Sequence, residues 1–134
     1  MKKTSLLASL AEELVDVARN QTVIEYGKLS KRFGDKYGEN YNPRFWRTPL
    51  GDVSEVCMDN GLPPISAVVV SKDKGMPGQG FFDFAGRHLC GARVPENQWV
   101  SFWQEQLQKV YACDQWDRLL GLIAETGQKA KQLG

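Results

Sequence analysis

The sequence has little of what most catalytic and metal-binding sites use. Its 134 residues contain one histidine, His88, and three widely spaced cysteines, Cys57, Cys90 and Cys113. Structural zinc sites usually hold closely spaced ligand pairs, and only His88 and Cys90 form such a pair. An odd number of separated cysteines is typical of free thiols in a reducing compartment. We therefore expect no metal, no cofactor, no catalytic residue and a cytoplasmic location.

Long apolar runs and a strong charge of one sign are also absent. The 17 Lys and Arg residues balance 16 Asp and Glu residues, and the formal net charge is +1. No stretch reaches the roughly 18 to 20 apolar residues that a membrane-spanning helix needs. Apolar residues form 42% of the chain and charged residues 25%, as in an average globular domain. The composition predicts one domain over residues 1–134 with no membrane partner, and it leaves the oligomeric state open.

Hydrophobic periodicity predicts helices at both ends of the chain. Between Thr4 and Asn20, apolar residues recur at steps of three and four, as on one face of an amphipathic helix. A similar pattern covers about residues 97–126, where Asn97 and Asp114 are candidate N-caps. These C-terminal residues therefore form either two helices or one kinked helix.

The middle of the chain, about residues 22–84, predicts a mixed unit. Three stretches are predicted as strands from their β-branched and aromatic residues: residues 22–26, 65–70 and 80–84. Two are predicted as helices: residues 28–33, with Gly34 as C-cap, and residues 49–60. A long loop, 35–47, and a Gly/Pro-rich hairpin tip, 72–79, complete the unit. The order of these elements is that of a winged helix: strand, helix, loop, helix and β-hairpin. The predicted fold class is therefore α+β. Its winged-helix-like centre is flanked by an N-terminal helix and C-terminal helices.

Two stretches of this unit resemble a known family. Residues 25–34, EYGKLSKRFG, and residues 60–75, NGLPPISAVVVSKDKG, resemble the C-terminal domain of alkylguanine-DNA alkyltransferases and alkyltransferase-like proteins. The resemblance spans about residues 22–82 and implies a winged-helix DNA-binding domain. Ser66 stands where the family has its alkyl-accepting cysteine, and Ala67 where it has a histidine. Because a serine without a base is a poor nucleophile, the resemblance does not extend to alkyl transfer.

Basic and aromatic residues alternate around the predicted loop. Residues 26–47 contain six basic residues against Asp35 and Glu39, which gives a local balance of +4. Such a mixture pairs with phosphates and stacks on bases, although charge runs also simply solvate a surface. We predict a non-enzymatic module that contacts nucleic acid through this loop and the hairpin tip. The candidate contact residues are Lys31, Arg32, Tyr37, Arg44, Trp46, Arg47, Lys72 and Lys74.

The predicted helix 49–60 favours a different partner, because its exposed charges are all acidic and would repel phosphates. The alternative function is therefore a protein-binding immunity protein, antitoxin or small adaptor. Its interface would be either the tryptophan-rich C-terminal end or the acidic helix together with the hairpin tip. The candidate residues of that second surface are Asp52, Glu55, Asp59, Met76 and Gln79.

Overall fold

Six α-helices and one two-stranded sheet make up the part of the chain that the computed structural model describes, residues 3–133, with side chains for residues 5–125. The helices are α1 (Lys3–Arg19), α2 (Tyr26–Tyr37), α3 (Arg47–Asp59), α4 (Gln79–Cys90), α5 (Trp99–Ala112) and α6 (Trp116–Leu133). Short 3₁₀ turns cover Pro43–Trp46, Ile65–Val68 and Glu96–Gln98. Strands β1 (Ile24–Glu25) and β2 (Val69–Val70) pair in parallel. The fold is mainly α.

Helix α1 lies at the centre of the packing because its apolar stripe is buried. Leu10, Leu14 and Val17 are almost completely shielded from solvent. The helix packs against α6, α3 and the 3₁₀ turn at residues 65–68. Buried apolar side chains from α1 to α6 form one continuous cluster. The predicted N-terminal helix is confirmed, and the C-terminal pattern corresponds to two separate helices.

The predicted β-hairpin is wrong, and with it the winged-helix-like centre and the α+β fold class. Residues 80–84, predicted as the second strand of the hairpin, lie in the first half of α4. Phe81, Phe82 and Ala85 are buried on one side of this helix. Their spacing of three and four residues is helical, and a window of five residues is too short to reveal it.

The two other predicted strands are shorter than expected. Strand β1 is limited to Ile24–Glu25, and most of the apolar run 65–70 is a 3₁₀ turn that leads into β2. This turn packs against α1, α3 and α5, and all its residues are buried. A segment that is covered on all sides needs apolar side chains whatever its backbone conformation, so its composition did not identify a strand.

The predicted loop 35–47 is largely helical. Helix α2 continues through Tyr37 and ends at Gly38, whose φ of 69° is left-handed and whose N–H donates to the Gly34 carbonyl oxygen at 3.0 Å. Gly34, predicted as the C-cap, therefore lies inside α2. The predicted helix 49–60 is confirmed as α3, which begins two residues earlier.

Glu13 is a buried carboxylate that joins α1 to α2. Its oxygens accept hydrogen bonds from Lys36 Nζ at 2.6 Å, Tyr37 Oη at 3.2 Å and Arg32 Nη1 at 3.3 Å. Burial acts to raise the pKa of Glu13, but Lys36 and Arg32 together outweigh it and hold the pKa below its ordinary value. The ionised carboxylate therefore stabilises the fold.

This stabilisation is expected to disappear in acid. Because the pKa of Glu13 is lower in the folded chain, its contribution is complete above about pH 4.5 and is lost as the pH falls through the folded-state pKa. A Glu13→Gln variant should be less stable than wild type at about pH 7 and should lose less stability on acidification. Urea titrations at several pH values measure this. The exposed neighbour Glu12 provides the control, and a Glu13→Gln variant as acid-sensitive as Glu12→Gln would contradict the assignment.

Candidate nucleic-acid interface

A cleft of about 730 Å³ opens where α2, α3 and α4 begin. Two arginines, Arg44 and Arg47, line it together with the first turn of α4. Its other lining residues combine hydroxyl, amide and aromatic groups. They are Tyr26, Pro43, Leu50, Ser66, Ser71, Gly78, Gln79, Gly80, Phe81 and Phe84.

The 3₁₀ turn before α3 positions the two arginines. Asn42 caps this turn, because its Oδ1 accepts a hydrogen bond from Arg44 N at 2.9 Å. Residues three apart in a 3₁₀ turn lie above one another, which places Arg44 and Arg47 on the same side. Between them, Trp46 anchors the turn in the core through a hydrogen bond from Nε1 to Ser30 Oγ at 2.8 Å. The arginines are thus held together at the mouth of the cleft.

The N-terminus of α4 also lines the cleft. Gly78 precedes the helix in an extended conformation, and its N–H donates to the hydroxyl of Tyr26 at 3.0 Å. A Cβ at Gly80 would lie 3.2 Å from Arg47 Nε and 3.5 Å from Arg47 Cγ. The absence of a side chain there lets Arg47 lie against the first turn. Unpaired N–H groups at a helix N-terminus favour anions, so this end of α4 adds to the charge of Arg47.

Hydroxyl groups complete the polar lining. Burial raises the pKa of Tyr26, and the Gly78 N–H only partly offsets this effect, so the phenol is neutral near pH 7 and can donate its proton. Deeper in the cleft, the Ser66 hydroxyl lies 2.7 Å from the Ser54 hydroxyl, and Ser66 N donates to Ser54 Oγ at 3.0 Å. These contacts fix Ser66 in place.

The charge of the cleft is positive. Its described lining residues include two arginines and no Asp, Glu or His. A nearby serine hydroxyl therefore has no general base, whereas an anionic group has two charge-assisted donors. The arrangement suits binding of an anion beside an aromatic surface.

Comparisons of the chain with protein-family models, with curated proteins and with solved structures find no match. The resemblance of residues 22–82 to alkyltransferases therefore stays an expectation based on two short stretches. Any function assigned to the cleft has to be argued from its own geometry.

Only some of the sequence-predicted contact residues lie at the cleft. The structure brings together Arg44 and Arg47, whereas other candidates in α2 and the following turn are engaged elsewhere. Lys31 forms an ion pair with Asp35 at 2.7 Å. Arg32 and Tyr37 contact Glu13, and Trp46 is completely buried, so its ring offers no face to a base.

Lys72 and Lys74 lie in the tight turn 71–75 rather than at the tip of a hairpin. The turn is closed by a hydrogen bond from Gly75 N to Ser71 O at 2.8 Å. Lys72 lines a second depression beside the sheet, together with Lys28 and Arg32. Lys74 is exposed but lines neither cavity. Because Ser71 lines both the cleft and the second depression, the two are adjacent.

The residues predicted for a protein interface do not form one surface. Asp52 and Glu55 line a groove between α3 and α4 that shares Arg47 with the cleft. Asp59 Oδ1 lies 2.8 Å from Nε2 of His88 and accepts its hydrogen bond in the tautomer that carries a proton on Nε2. Met76 packs against the core and Gln79 lines the cleft. The exposed hairpin tip on which Met76 and Gln79 were placed does not exist.

Several lining residues were missed, namely Tyr26, Gly78, Gly80, Phe81 and Phe84. They surround the cleft only because α4 begins beside α2 and α3. The available signal was the pair of glycines immediately before an apolar pattern of helical spacing, which is typical of a helix N-terminus approached closely by another group. The strand predicted at residues 80–84 is incompatible with a helix that begins there.

The groups considered for metal or thiol chemistry are separated. Burial raises the pKa of Cys57 to about 12, so this thiol stays protonated at neutral pH. Cys90 is exposed and Cys113 is half-buried, and all three are free. In the described part of the chain, no three His, Cys, Asp or Glu side chains are grouped as a metal site would require. Within residues 3–133, no helix is both long and apolar enough to cross a membrane.

Proposed function

We propose that this protein is a non-enzymatic module that binds nucleic acid and holds a backbone phosphate in the cleft between Arg44, Arg47 and the start of α4. The observation that carries the proposal is the composition of this cleft: two arginines and a helix N-terminus converge on it, and none of its described lining residues is acidic. A phosphate would receive charge-assisted hydrogen bonds from both guanidinium groups.

A second positive surface extends the site. The adjacent depression is lined by Lys28, Arg32 and Lys72, with Glu25 as the only acidic residue among its described lining. Arg32 shares its charge with Glu13, so Lys28 and Lys72 are the residues best placed to meet a second phosphate. A polyanion that follows both cavities would contact positive charge at two places, which a single small anion would not.

Removal of the two cleft arginines should weaken binding and make it less dependent on salt. Fluorescence anisotropy with labelled DNA at graded salt concentrations gives the slope of log affinity against log salt. Each lost phosphate contact reduces the magnitude of this slope by about 0.7 on a single strand and about 0.9 on a duplex. Arg44→Ala with Arg47→Ala is therefore expected to make the slope shallower by roughly one to two.

The matched control removes the same charge at other exposed sites. Lys31 and Lys109 each pair with a carboxylate four residues away on their own helix. Lys31→Ala with Lys109→Ala should leave the slope close to that of wild type. If the two double variants reduced the salt slope equally, the effect would be one of general charge, and the cleft assignment would be overturned. Absence of wild-type binding at low salt would overturn the whole proposal.

A protein partner is the second candidate function, and the groove between α3 and α4 supports it. Three carboxylates line this groove, from Asp52, Glu55 and Asp83, together with Arg87 and His88. Carboxylates so close to Arg47 would repel a phosphate group, whereas a basic protein surface would complement their charge. If wild type fails to bind nucleic acid at low salt, this groove is the surface at which a partner should be sought.

A further inference from the structure

One aromatic residue beside the cleft is exposed and rigidly supported. Phe45 is 38% exposed, and its ring stacks on the ring of Tyr41 with centroids 4.2 Å apart and planes inclined by only 7°. We refer to Tyr41 and Phe45 as the stacked pair. Tyr41 covers one face of the Phe45 ring, and Trp46 meets the pair at its edges, so neither of these contacts covers the opposite face.

The stacked pair is fixed by the core beneath it. Trp46 meets Phe45 edge-on at 5.4 Å and Tyr41 edge-on at 5.3 Å. Trp46 is itself completely buried and hydrogen-bonded to Ser30. Because these contacts hold the Phe45 ring in one orientation, a ligand ring that stacks on it loses little additional freedom on binding.

Phe45 lies on the same 3₁₀ turn as the two cleft arginines. Successive residues of such a turn point about a third of a turn apart, so Phe45 projects to one side of Arg44 and Arg47 while Trp46 points into the core. The same short turn therefore carries two arginines and, on a neighbouring side, an exposed aromatic ring. A nucleic-acid strand carries the same alternation of base and phosphate.

We propose that the outer face of Phe45 stacks on an unpaired nucleobase, so that the surface selects single-stranded over duplex nucleic acid. This inference rests on the proposed function of the cleft. In a duplex, both faces of an internal base are covered by its neighbours, and a protein ring reaches one only by unstacking a step. An unpaired base has a free face, and stacking on an aromatic side chain tolerates any base.

The test separates the contribution of the bases to binding affinity from that of the phosphates. The probes are oligothymidylate, an abasic strand of the same length, and a duplex of the same length, at one salt concentration. Wild type should bind oligothymidylate more tightly than the abasic strand or the duplex. Phe45→Ala should weaken oligothymidylate binding about fivefold or more, without changing the abasic affinity or the salt slope. Phe45→Trp should retain binding, because it keeps a ring at this position.

Two further variants control for folding and for loss of apolar surface. Phe45→Leu keeps an apolar side chain against Tyr41 and Trp46 but removes the ring, so it should lose affinity as Phe45→Ala does. Val100 is 51% exposed on α5, and Val100→Ala should have no effect. An oligouridylate arm identifies the preferred backbone, and loss of affinity on Phe45→Ala with either strand supports the proposal.

The outcomes distinguish this inference from the proposed function. If Phe45→Ala and Phe45→Leu bind oligothymidylate as wild type does, or if wild type binds the abasic strand equally well, stacking is overturned. The phosphate site would still stand if the variant with Arg44→Ala and Arg47→Ala showed the shallower salt slope in the same assay. If wild type binds none of the probes at low salt, both proposals fail together.

Discussion

Replacement of Trp46 by alanine is expected to lower the free energy of unfolding by about 3 to 5 kcal/mol, the usual cost of removing a fully buried large aromatic side chain. Trp46 has no exposed surface, and its ring lies 4.8 Å from that of Phe33. The substitution also removes the hydrogen bond to Ser30, and the cavity cannot be filled without moving the turn that carries Arg44. Urea titration followed by far-ultraviolet circular dichroism measures the change.

The adjacent residue provides the matched control. Phe45 is also aromatic and belongs to the same turn, but it is 38% exposed, so Phe45→Ala should cost distinctly less. Because Trp46 holds the turn between the two arginines, Trp46→Ala should also weaken nucleic-acid binding under conditions where the variant is folded. A loss of stability no larger than that of Phe45→Ala would contradict the assignment of Trp46 as the anchor.

The contrast between Trp46 and Phe45 shows that the sequence does not indicate which aromatic residue of this turn is buried. Both are aromatic, and nothing in residues 35–47 indicates which of them faces the core. Local charge led to Arg44 and Arg47, which do lie together, but also to Lys31 and Arg32. The carboxylate that engages Arg32 is Glu13, on a different helix. A charged side chain that pairs with a residue distant in sequence is less available to a ligand. A count of charges in a local window does not show such pairs.

The same limit explains which parts of the fold were predicted. Helices α1, α3, α5 and α6 have sustained amphipathic patterns, and the predictions for these regions agree with the structure. Two of the wrongly predicted strands fall on short apolar segments, 65–70 and 80–84, where burial from several sides produces the composition of a strand. A hairpin at residues 80–84 leaves no place for the N-terminus of α4 or for the cleft that it lines.

Gly86 is the position in α4 where a single methyl group should have the largest effect. A Cβ there would lie 2.7 Å from Ala92 O and 2.8 Å from Val94 N. Both are backbone atoms, and Val94 N–H donates to Phe82 O at 3.2 Å, so the segment after α4 cannot move away without losing this bond. Gly86→Ala is expected to destabilise the fold by about 1 to 3 kcal/mol or more, through overpacking.

Helix propensity alone predicts that Gly86→Ala stabilises the fold, because alanine is favoured over glycine by about 1 kcal/mol inside a helix. Gly121 in α6 tests the effect of helix propensity by itself, since a Cβ there would meet nothing within 4 Å. Gly121→Ala should therefore raise the free energy of unfolding by up to about 1 kcal/mol while Gly86→Ala lowers it. Thermal and urea unfolding of the two variants against wild type measures both changes. If both substitutions stabilised the protein, the segment 92–94 would not lie against α4 as the structure has it, because only a close backbone neighbour reverses the intrinsic preference for alanine.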